Sequence, residues 1–380
     1  MRLNPERPLL SGSCTQYLDW GLPIAMDAVG PGEARRILDR YGADRVLLVG
    51  PPGVGKSTVV RSYAEDSASR EGLEFVDLSE ARSLEDLDTD STYAFLHIYA
   101  PLVRAEDLAF IARRGEGYDW TLPSRLAYLT RPGVRGLVFI DEITNVALPE
   151  VQTILFSMVL DKRVAYNRLS SGVEVVAAGN SPRDSPVSQW PPPPLLDRFR
   201  LLIRVKPPDL EEWVSWMNSV GRPWDRRVAA VLKVKPVLMY RPPEDEEDKF
   251  PTPRSWSQLA WELAKTGAHG DEAVRIAAMV VGRRAAEEAR QFLQPDPASL
   301  DLSTFPRLDE RERLTLLSVE AGRLASQDVV ELCRTLEKVG SYGAHYAVWL
   351  LMLSGVDTVE AARSCSYVED LLSRLSSYLG

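Results

Sequence analysis

Short apolar runs alternate with amphipathic stretches through the first half of the chain. The runs at residues 45–49, 73–77, 136–140 and 200–205 are rich in β-branched and aliphatic residues, which is typical of buried parallel strands. Apolar residues between these runs recur at helical spacing, as in residues 149–160. Strands that alternate with helices predict an α/β fold in which a parallel sheet carries helices on both faces.

Several segments are predicted to depart from this alternation. Residues 79–135 are interpreted as a long insertion, whose later part at residues 113–120 is expected to be an exposed loop. Residues 163–169 and 173–178 flank a Ser-Ser-Gly turn, which predicts a hairpin. The four consecutive prolines that end at Pro194 predict a stiff, extended run.

The second half of the chain is predicted to be helical. Pro207 and Pro208 mark a boundary, after which the apolar residues follow helical periodicity. An acidic run at residues 244–248 interrupts this pattern, and prolines near residues 295–297 and 305–306 predict a linker.

The last segment, residues 308–380, is again predicted to be helical. One apolar stripe at helical spacing supports this interpretation, and its residues are Leu314, Leu317, Ala321 and Leu324. The predicted domains are residues 1–208 as an α/β domain with the insertion at about residues 79–135, residues 209–294 as a helical domain, and residues 295–380 as a C-terminal helical region.

The composition is typical of a globular intracellular protein. The chain has 380 residues, of which 45% are hydrophobic and 26% are charged. Its net charge of −9 provides no overall basic field to attract nucleic acid, although a local basic groove is compatible with that total. We expect no membrane span and no signal peptide, because no apolar stretch has the required length, and a cytoplasmic location is predicted.

The cysteines and histidines are few and scattered. Cys14, Cys333 and Cys365 are far apart and odd in number, which favours a reducing compartment and speaks against a disulfide framework or a zinc site. The histidines are interpreted as structural or solvent-facing residues, and they are His97, His269 and His345.

The segment GPPGVGKST at residues 50–58 fits the pattern G-x-x-x-x-G-K-[ST] between a predicted strand and a predicted helix that ends near Gly72. Its glycines let backbone N–H groups surround phosphate oxygens, and the helix adds the positive end of its dipole. Lys56 is expected to contact the β- and γ-phosphates, and the Ser57 hydroxyl to ligate Mg²⁺. The predicted nucleotide-binding residues are Gly50, Pro51, Pro52, Gly53, Val54, Gly55, Lys56, Ser57 and Thr58.

Two predicted strands end in polar side chains, Asp141 and Glu142 after the first and Asn180 after the second. Ligands of open parallel sheets bind at the carboxyl ends of strands. Asp141 is therefore expected beside the phosphate loop, where it holds Mg²⁺ or a water of that ion. Glu142 is expected to accept a proton from the attacking water and Asn180 to orient that water. Solvated strand-end acids and an ordinary Gly-Asn turn are the structural alternatives.

Two later arginines are candidates for neutralising transition-state charge. Arg198 is favoured over Arg200 as an arginine finger that reaches a neighbouring subunit, and the alternative is a surface ion pair with Asp197. Arg254 begins a helix behind two prolines, from which it could reach the γ-phosphate; the alternative is an ordinary helix start.

The order of these motifs resembles that of the AAA+ ATPases, and within them the MoxR-like type. The matching pieces are GPPGVGKST, LVFIDEITN, VVAAGN, LLDRF and FPTPRSW. The resemblance implies a P-loop NTPase fold with an α-helical lid at residues 209–294, and ATP and Mg²⁺ as cofactors. It further implies a homo-oligomer, often a hexameric ring, that remodels or assembles a protein client, for example one of the von Willebrand factor type A-like kind.

The resemblance also assigns roles to single residues. Asp141 and Glu142 match the Walker B motif, Asn180 the first sensor, Arg254 the second sensor and Arg198 the arginine finger. The insertion and the predicted hairpin match elements that face the pore or the top of the ring in relatives. The sequence DEITN departs from the DEINR that these proteins commonly carry, so any role of Thr144 or Asn145 stays open. Residues 295–380 match no pattern.

Two other functions are compatible with the same core. A nucleic-acid-directed motor or loader would need a basic, aromatic surface, for which the candidates are Arg113, Arg114, Tyr118 and Trp120 in a chain that is acidic overall. A nucleotide-gated scaffold would need no hydrolysis, and the presence of Glu142 speaks against it.

Overall fold

The computed structural model describes residues 28–185, 188–242, 249–325 and 329–379; the lead-in before residue 28 and the acidic run at 244–248 lie outside them. Within the described residues, the strands are β1 (Val46–Val49), β2 (Glu74–Asp77), β3 (Thr92–Tyr99), β4 (Phe110–Arg114), β5 (Gly117–Thr121), β6 (Arg135–Asp141), β7 (Arg163–Val164), β8 (Asn167–Arg168), β9 (Gly172–Gly179) and β10 (Leu201–Arg204). The helices are α1 (Pro31–Tyr41), α2 (Lys56–Glu71), α3 (Ala105–Leu108), α4 (Ser124–Tyr128), α5 (Pro149–Asp161), α6 (Pro193–Leu196), α7 (Leu210–Ser219), α8 (Arg227–Val234), α9 (Pro253–Thr266), α10 (Gly270–Val281), α11 (Arg283–Leu293), α12 (Glu310–Leu324), α13 (Val329–Gly340), α14 (Ala344–Ser354), α15 (Thr358–Ser364) and α16 (Ser366–Leu379).

A six-stranded parallel sheet has the strand order β10-β1-β9-β6-β3-β2. All four residues of β1 are buried, as expected for a strand that is covered on both faces. Because β1, β9 and β6 are adjacent and parallel, the residues that follow them meet at one edge of the sheet. The predicted parallel α/β sheet is confirmed.

Helices cover both faces of this sheet. On one face, α1 and α2 pack through residues such as Leu38 and Val60. On the other face, α5 packs through residues such as Leu155. The predicted helix after the phosphate loop is confirmed, since α2 begins at Lys56 and is closed by Gly72, whose φ of 70° lies in the left-handed region.

Two strands of the sheet differ from the prediction. β3 lies inside the stretch predicted as an insertion, yet it pairs with both β2 and β6 and its first five residues are buried. β9 forms no hairpin with residues 163–169; it pairs in parallel with β1 and β6, because its buried residues fill the centre of the sheet. The local hairpin is instead formed by β7 and β8.

Two shorter segments also differ from the prediction. Residues 113–120 are part of the antiparallel hairpin β4–β5, in which Arg113 pairs with Tyr118, and are not a loop. The proline run predicted to be extended enters α6 at Pro193. Proline is favourable in the first turn of a helix, where its fixed φ is suitable and its missing N–H is not needed.

The helices from α7 to α16 contribute to one hydrophobic core. Phe305, in the predicted linker, is 2% exposed and belongs to this core, so that segment is packed and not open. The domain boundaries at residues 208 and 294 remain predictions. The predicted apolar stripe is confirmed on α12, where its buried residues are Leu314, Leu317, Ala321 and Leu324.

Cys333 and Cys365 form a disulfide bond, with their Cα atoms 5.7 Å apart. The expectation of no disulfide is therefore wrong. Cys333 lies on α13 and Cys365 between α15 and α16, so helix packing brings together two residues that are 32 positions apart in the sequence. Among the helices that the structure describes, none combines the length and the apolar character needed to cross a bilayer.

Candidate active site

The loop between β1 and α2 has the backbone shape of a phosphate cradle. Gly53 and Gly55 have φ angles of 77° and 105°, in the left-handed region that favours glycine. A Cβ atom at Gly50 would lie 2.1 Å from the carbonyl oxygen of Val205, so a larger residue does not fit there. Gly55 is the N-cap residue of α2 and has no side chain to accept from the first turn, whose N–H groups remain for an anion.

Lys56 is 5% exposed and lies in the centre of this cradle. Its Nζ donates hydrogen bonds to the carbonyl oxygens of Gly50 and Pro51, at 2.7 and 2.9 Å. A third hydrogen bond runs to Asn180 Oδ1 at 2.8 Å. Burial lowers the pKa of Lys56 to about 8, although the charge of Glu142 acts in the opposite direction.

The other predicted nucleotide-binding residues follow the loop into the first turn of α2. Val54 is buried in the core beneath the loop, while Pro52 is partly buried. Thr58 is exposed on the first turn of α2. The loop is therefore fixed by the packing of Val54, while Thr58 is accessible to solvent.

Asp141 lies at the end of β6, where two hydrogen-bond donors and the imidazole of His97 surround its carboxylate. Its Oδ2 accepts a hydrogen bond from Ser57 Oγ at 2.7 Å, and its Oδ1 accepts one from the Glu142 backbone N–H at 3.0 Å. His97 Nε2 lies 3.5 Å from the same Oδ2. Burial alone would raise the pKa of Asp141, but the bonds from His97 and Ser57 lower it below its ordinary value.

Glu142 has a left-handed backbone with a φ of 56°, which is uncommon for a residue with a side chain. Its Oε2 accepts a hydrogen bond from Asn180 Nδ2 at 2.8 Å. Burial raises the pKa of Glu142, and the neighbouring charge of Lys56 opposes this shift. A carboxylate with a raised pKa beside a phosphate cradle has the properties of a general base.

Asn180 is held in place by a residue that sequence reasoning left open. The buried hydroxyl of Thr144 accepts a hydrogen bond from the backbone N–H of Asn180 at 2.9 Å. A Cβ atom at Gly179 would lie 2.5 Å from this hydroxyl oxygen, so the preceding glycine permits the contact. Thr144 therefore fixes the strand end from which the Asn180 side chain reaches Lys56 and Glu142.

Arg254 reaches the site from the helical half of the chain. It lies in the first turn of α9, and its backbone N–H donates a hydrogen bond to the Gly53 carbonyl oxygen at 3.2 Å. Thr252, the N-cap residue of α9, also contacts Gly53 closely enough to exclude a side chain there. The structure thus brings Arg254 to the phosphate loop, with its side chain exposed.

Arg198 and Arg200 lie away from this cluster. Both precede β10, whose first residue Leu201 is paired with the first residue of β1, so they lie at the amino edge of the sheet, opposite the phosphate loop. Arg198 forms an exposed ion pair with Asp161 at 2.5 Å, and not with Asp197. Arg200 donates to the carbonyl oxygens of two residues before β1, at 2.7 and 2.9 Å.

Sequence reasoning missed two side chains at the carboxyl edge. His97 was expected to be structural or solvent-facing, but it contacts the carboxylate of Asp141. Tyr99 is paired in register with Asp141, and burial together with the charge of Glu142 raises its pKa. Both lie on β3, the strand hidden in the predicted insertion, so recognising that apolar run as a sheet strand would have revealed them.

Residues 45–215 match the family model described as AAA domain, dynein-related subfamily. This match covers the phosphate loop, both strand-end acids, Asn180 and Arg198. No curated protein is significantly similar to this chain in sequence.

Several solved structures resemble the chain distantly. A mutant of RuvB from Thermotoga maritima is 18% identical with a TM-score of 0.35, and the alignment covers 80% of each chain. NtrX from Brucella abortus is 15% identical with a TM-score of 0.39, covering 93% of this chain and 73% of NtrX. PCH-2 from C. elegans is 13% identical with a TM-score of 0.27, covering 76% of this chain and 65% of PCH-2. Similarities at this level carry no conclusion about activity.

Proposed function

We propose that this ATPase, with its AAA domain of the dynein-related subfamily at residues 45–215, is a ring-forming oligomer of the MoxR-like type that remodels or assembles a protein partner. The observation that carries the proposal is the separation of the hydrolytic residues over two edges of one sheet. Lys56, Glu142 and Asn180 meet at the carboxyl edge, whereas Arg198 lies at the amino edge. Such a site is complete only when a second subunit supplies the arginine.

Nucleotide binding begins with the exchange of partners at Lys56. Its ammonium is held by carbonyl oxygens of the loop and by Asn180, and phosphate oxygens are stronger partners because they carry negative charge. The N–H groups of the loop and of the first turn of α2 bind the remaining phosphate oxygens. Arg254 closes the site from α9.

The residues beside the cradle suit Mg²⁺, which prefers oxygen ligands. The Ser57 hydroxyl and the Asp141 carboxylate are 2.7 Å apart, and they would hold the ion together with phosphate oxygens. When bound, Mg²⁺ neutralises charge on the β- and γ-phosphates. A hydroxyl that donates its proton to Asp141 keeps both oxygen lone pairs for a cation.

Hydrolysis requires a water to lose a proton as its oxygen bonds to the γ-phosphorus. One carboxylate oxygen of Glu142 accepts this proton, and the bond from the γ-phosphorus to the bridging β-phosphate oxygen breaks, which yields ADP and phosphate. Asn180 orients Glu142 through its Nδ2 and contacts Lys56 through its Oδ1. The side chain of Asn180 therefore contacts both the proposed base, Glu142, and the ammonium of Lys56.

The proposed partner is a protein, with a von Willebrand factor type A-like client as one form of it. The net charge of −9 disfavours a nucleic acid partner. Two exposed tyrosines on the hairpins, Tyr118 and Tyr166, are 78% and 79% exposed and offer contact area for a polypeptide.

The proposed function is tested by measuring the mass of the oligomer and the rate of ATP hydrolysis. Light scattering of the full chain should report a defined oligomer when ATP is present, and DNA should not stimulate hydrolysis. Lys56→Ala should abolish ATP binding in a calorimetric titration, because it removes the cation of the cradle. A monomer with full activity, or strong stimulation by DNA, would contradict the proposed function.

A further inference from the structure

We propose that His97 is a positioning residue that holds the Asp141 carboxylate in the orientation needed for Mg²⁺ beside the phosphate cradle. This inference rests on the proposed nucleotide site and adds to it a residue on a strand that carries none of the known motifs. His97 contacts the reacting groups only through Asp141, so its role is indirect.

The register of the sheet gives His97 access to Asp141. β3 and β6 are parallel neighbours in which His97 is paired with Phe139 and Tyr99 with Asp141. His97 lies two residues before the end of its strand, and its side chain leans along the sheet so that Nε2 comes within 3.5 Å of Asp141 Oδ2. A backbone pairing in the core of the sheet thus sets the distance between the two side chains.

The imidazole ring is fixed by packing. It stacks on the ring of Phe139, with a centroid distance of 4.9 Å and an interplanar angle of 16°. Phe139 is 1% exposed and belongs to the sheet core, so the plane of the imidazole is set by a rigid neighbour. The His97 side chain is 38% exposed.

Both oxygens of Asp141 accept hydrogen bonds, and the imidazole of His97 approaches one of them as a second neighbour. Oδ1 accepts from the Glu142 backbone, and Oδ2 is shared by Ser57 and His97. Without His97, the Ser57 hydroxyl alone would contact Oδ2, and that hydroxyl can rotate about its Cβ–Oγ bond. His97, whose ring is stacked on Phe139, therefore gives Oδ2 a second contact that holds the carboxylate in one orientation. Partners of this kind behind a metal ligand commonly affect metal affinity by 10-fold to 100-fold, roughly.

The test separates metal-dependent from metal-independent nucleotide binding. ADP is titrated calorimetrically into the full chain, first with a chelator present and then over a series of Mg²⁺ concentrations. The variant His97→Phe keeps an aromatic ring on Phe139 but removes the donor, whereas His97→Gln keeps a donor without the ring. His269→Phe is the matched control, because His269 is an exposed histidine at the N-terminus of α10, in the helical half of the chain.

For His97→Phe, ADP affinity in chelator should stay within about twofold of wild type, while the Mg²⁺ concentration for half-maximal enhancement should rise by about 10-fold. His97→Gln should recover part of this loss, and His269→Phe should behave as wild type. Equal Mg²⁺ dependence in wild type and His97→Phe would overturn the inference. An equal loss of binding with and without Mg²⁺ would also overturn it, since His97 would then be a general structural residue. If wild type itself shows no effect of Mg²⁺ on ADP binding, the Mg²⁺ site of the proposed function is contradicted, and the inference falls with it.

Discussion

Asn180 joins Glu142 to Lys56 through the two ends of a single amide. Its Nδ2 donates to Glu142 Oε2 and its Oδ1 accepts from Lys56 Nζ, both at 2.8 Å. The backbone of Asn180 is itself fixed by Thr144. Because we expect Lys56 to move toward phosphate when nucleotide binds, the contacts of Asn180, and with them the orientation of Glu142, should change on binding.

Glu142→Gln should separate nucleotide binding from hydrolysis. The glutamine keeps the size of the side chain and its hydrogen-bonding capacity but cannot accept the proton of the attacking water. ATP should therefore bind with near wild-type affinity, while turnover falls by about 10²-fold, the size of effect typical of a lost general base. Steady-state phosphate release and a calorimetric titration measure the two quantities. Glu150→Gln, which changes an exposed residue on α5, is the control and should have no effect. Turnover of Glu142→Gln close to wild type would refute the role of Glu142 as the general base.

The acidic limb of the pH–rate profile should depend on Asn180. A general base works only when ionised, and burial raises the pKa of Glu142, so turnover should fall with decreasing pH sooner than for an ordinary glutamate. Asn180→Asp places a carboxylate against Glu142 Oε2, and like charge should raise that pKa further and move the limb to higher pH by about one unit. Asn180→Ala removes the hydrogen bonds to Glu142 and Lys56 without adding a charge, so it should move the limb less. An unchanged limb in Asn180→Asp would show that Glu142 is not the titrating base.

Nucleotide binding should take up a proton at alkaline pH. Burial lowers the pKa of Lys56 to about 8 in the nucleotide-free protein, so its ammonium loses a proton above that pH. Phosphate charge favours the protonated form, and affinity should therefore fall as pH rises above about 8, with uptake approaching one proton per nucleotide. Calorimetry in buffers of different ionisation enthalpy measures this uptake. Lys56→Arg should abolish it, because a guanidinium stays protonated; equal uptake in that variant would assign the proton to another group.

The parts of the site that can be predicted from the sequence are those whose interacting residues all lie within one short motif. The loop glycines and Lys56 lie within one segment, and Asp141 and Glu142 are adjacent at the end of β6. The apolar pattern also predicts the strands and the helix that flank these motifs. Thr144 is also close to a motif, but its bond to Asn180 depends on the packing of β6 against β9. That pairing joins residues far apart in the chain, so the role of Thr144 could only be left open.

The features that the sequence predicts wrongly also depend on contacts between residues far apart in the chain. Local turn residues before β9 favour a hairpin, whereas the burial of β9 in the centre of the sheet decides its partners. β3 follows an acidic stretch, which favours an insertion over a sheet strand, so the contact between His97 and Asp141 does not follow from the sequence. The disulfide between Cys333 and Cys365 likewise requires knowledge of how helices pack.

The active site should be completed by Arg198 of a neighbouring subunit. Arg198 lies at the opposite edge of the sheet from Lys56, and its exposed ion pair with Asp161 is of a kind that contributes little stability. Arg200 is bonded to backbone carbonyls before β1, which leaves Arg198 as the better finger. Activity per subunit should therefore rise with protein concentration. Arg198→Ala should lose about 10³-fold in turnover while it retains ATP affinity, and Asp161→Ala is the control that breaks the ion pair but should keep turnover.

Mixing variants provides the decisive measurement of this shared site. In a ring assembled from Arg198→Ala and Glu142→Gln subunits, some interfaces combine an intact Glu142 with an intact Arg198, because each variant lacks only one of the two. Activity should therefore reappear on mixing, with a maximum near equal amounts of the two proteins. If the mixture stays inactive, and activity per subunit is constant on dilution, no arginine is shared between subunits. A loss of stability of the same size in Arg198→Ala and Asp161→Ala, without a specific loss of turnover in the former, would instead assign Arg198 to a structural ion pair.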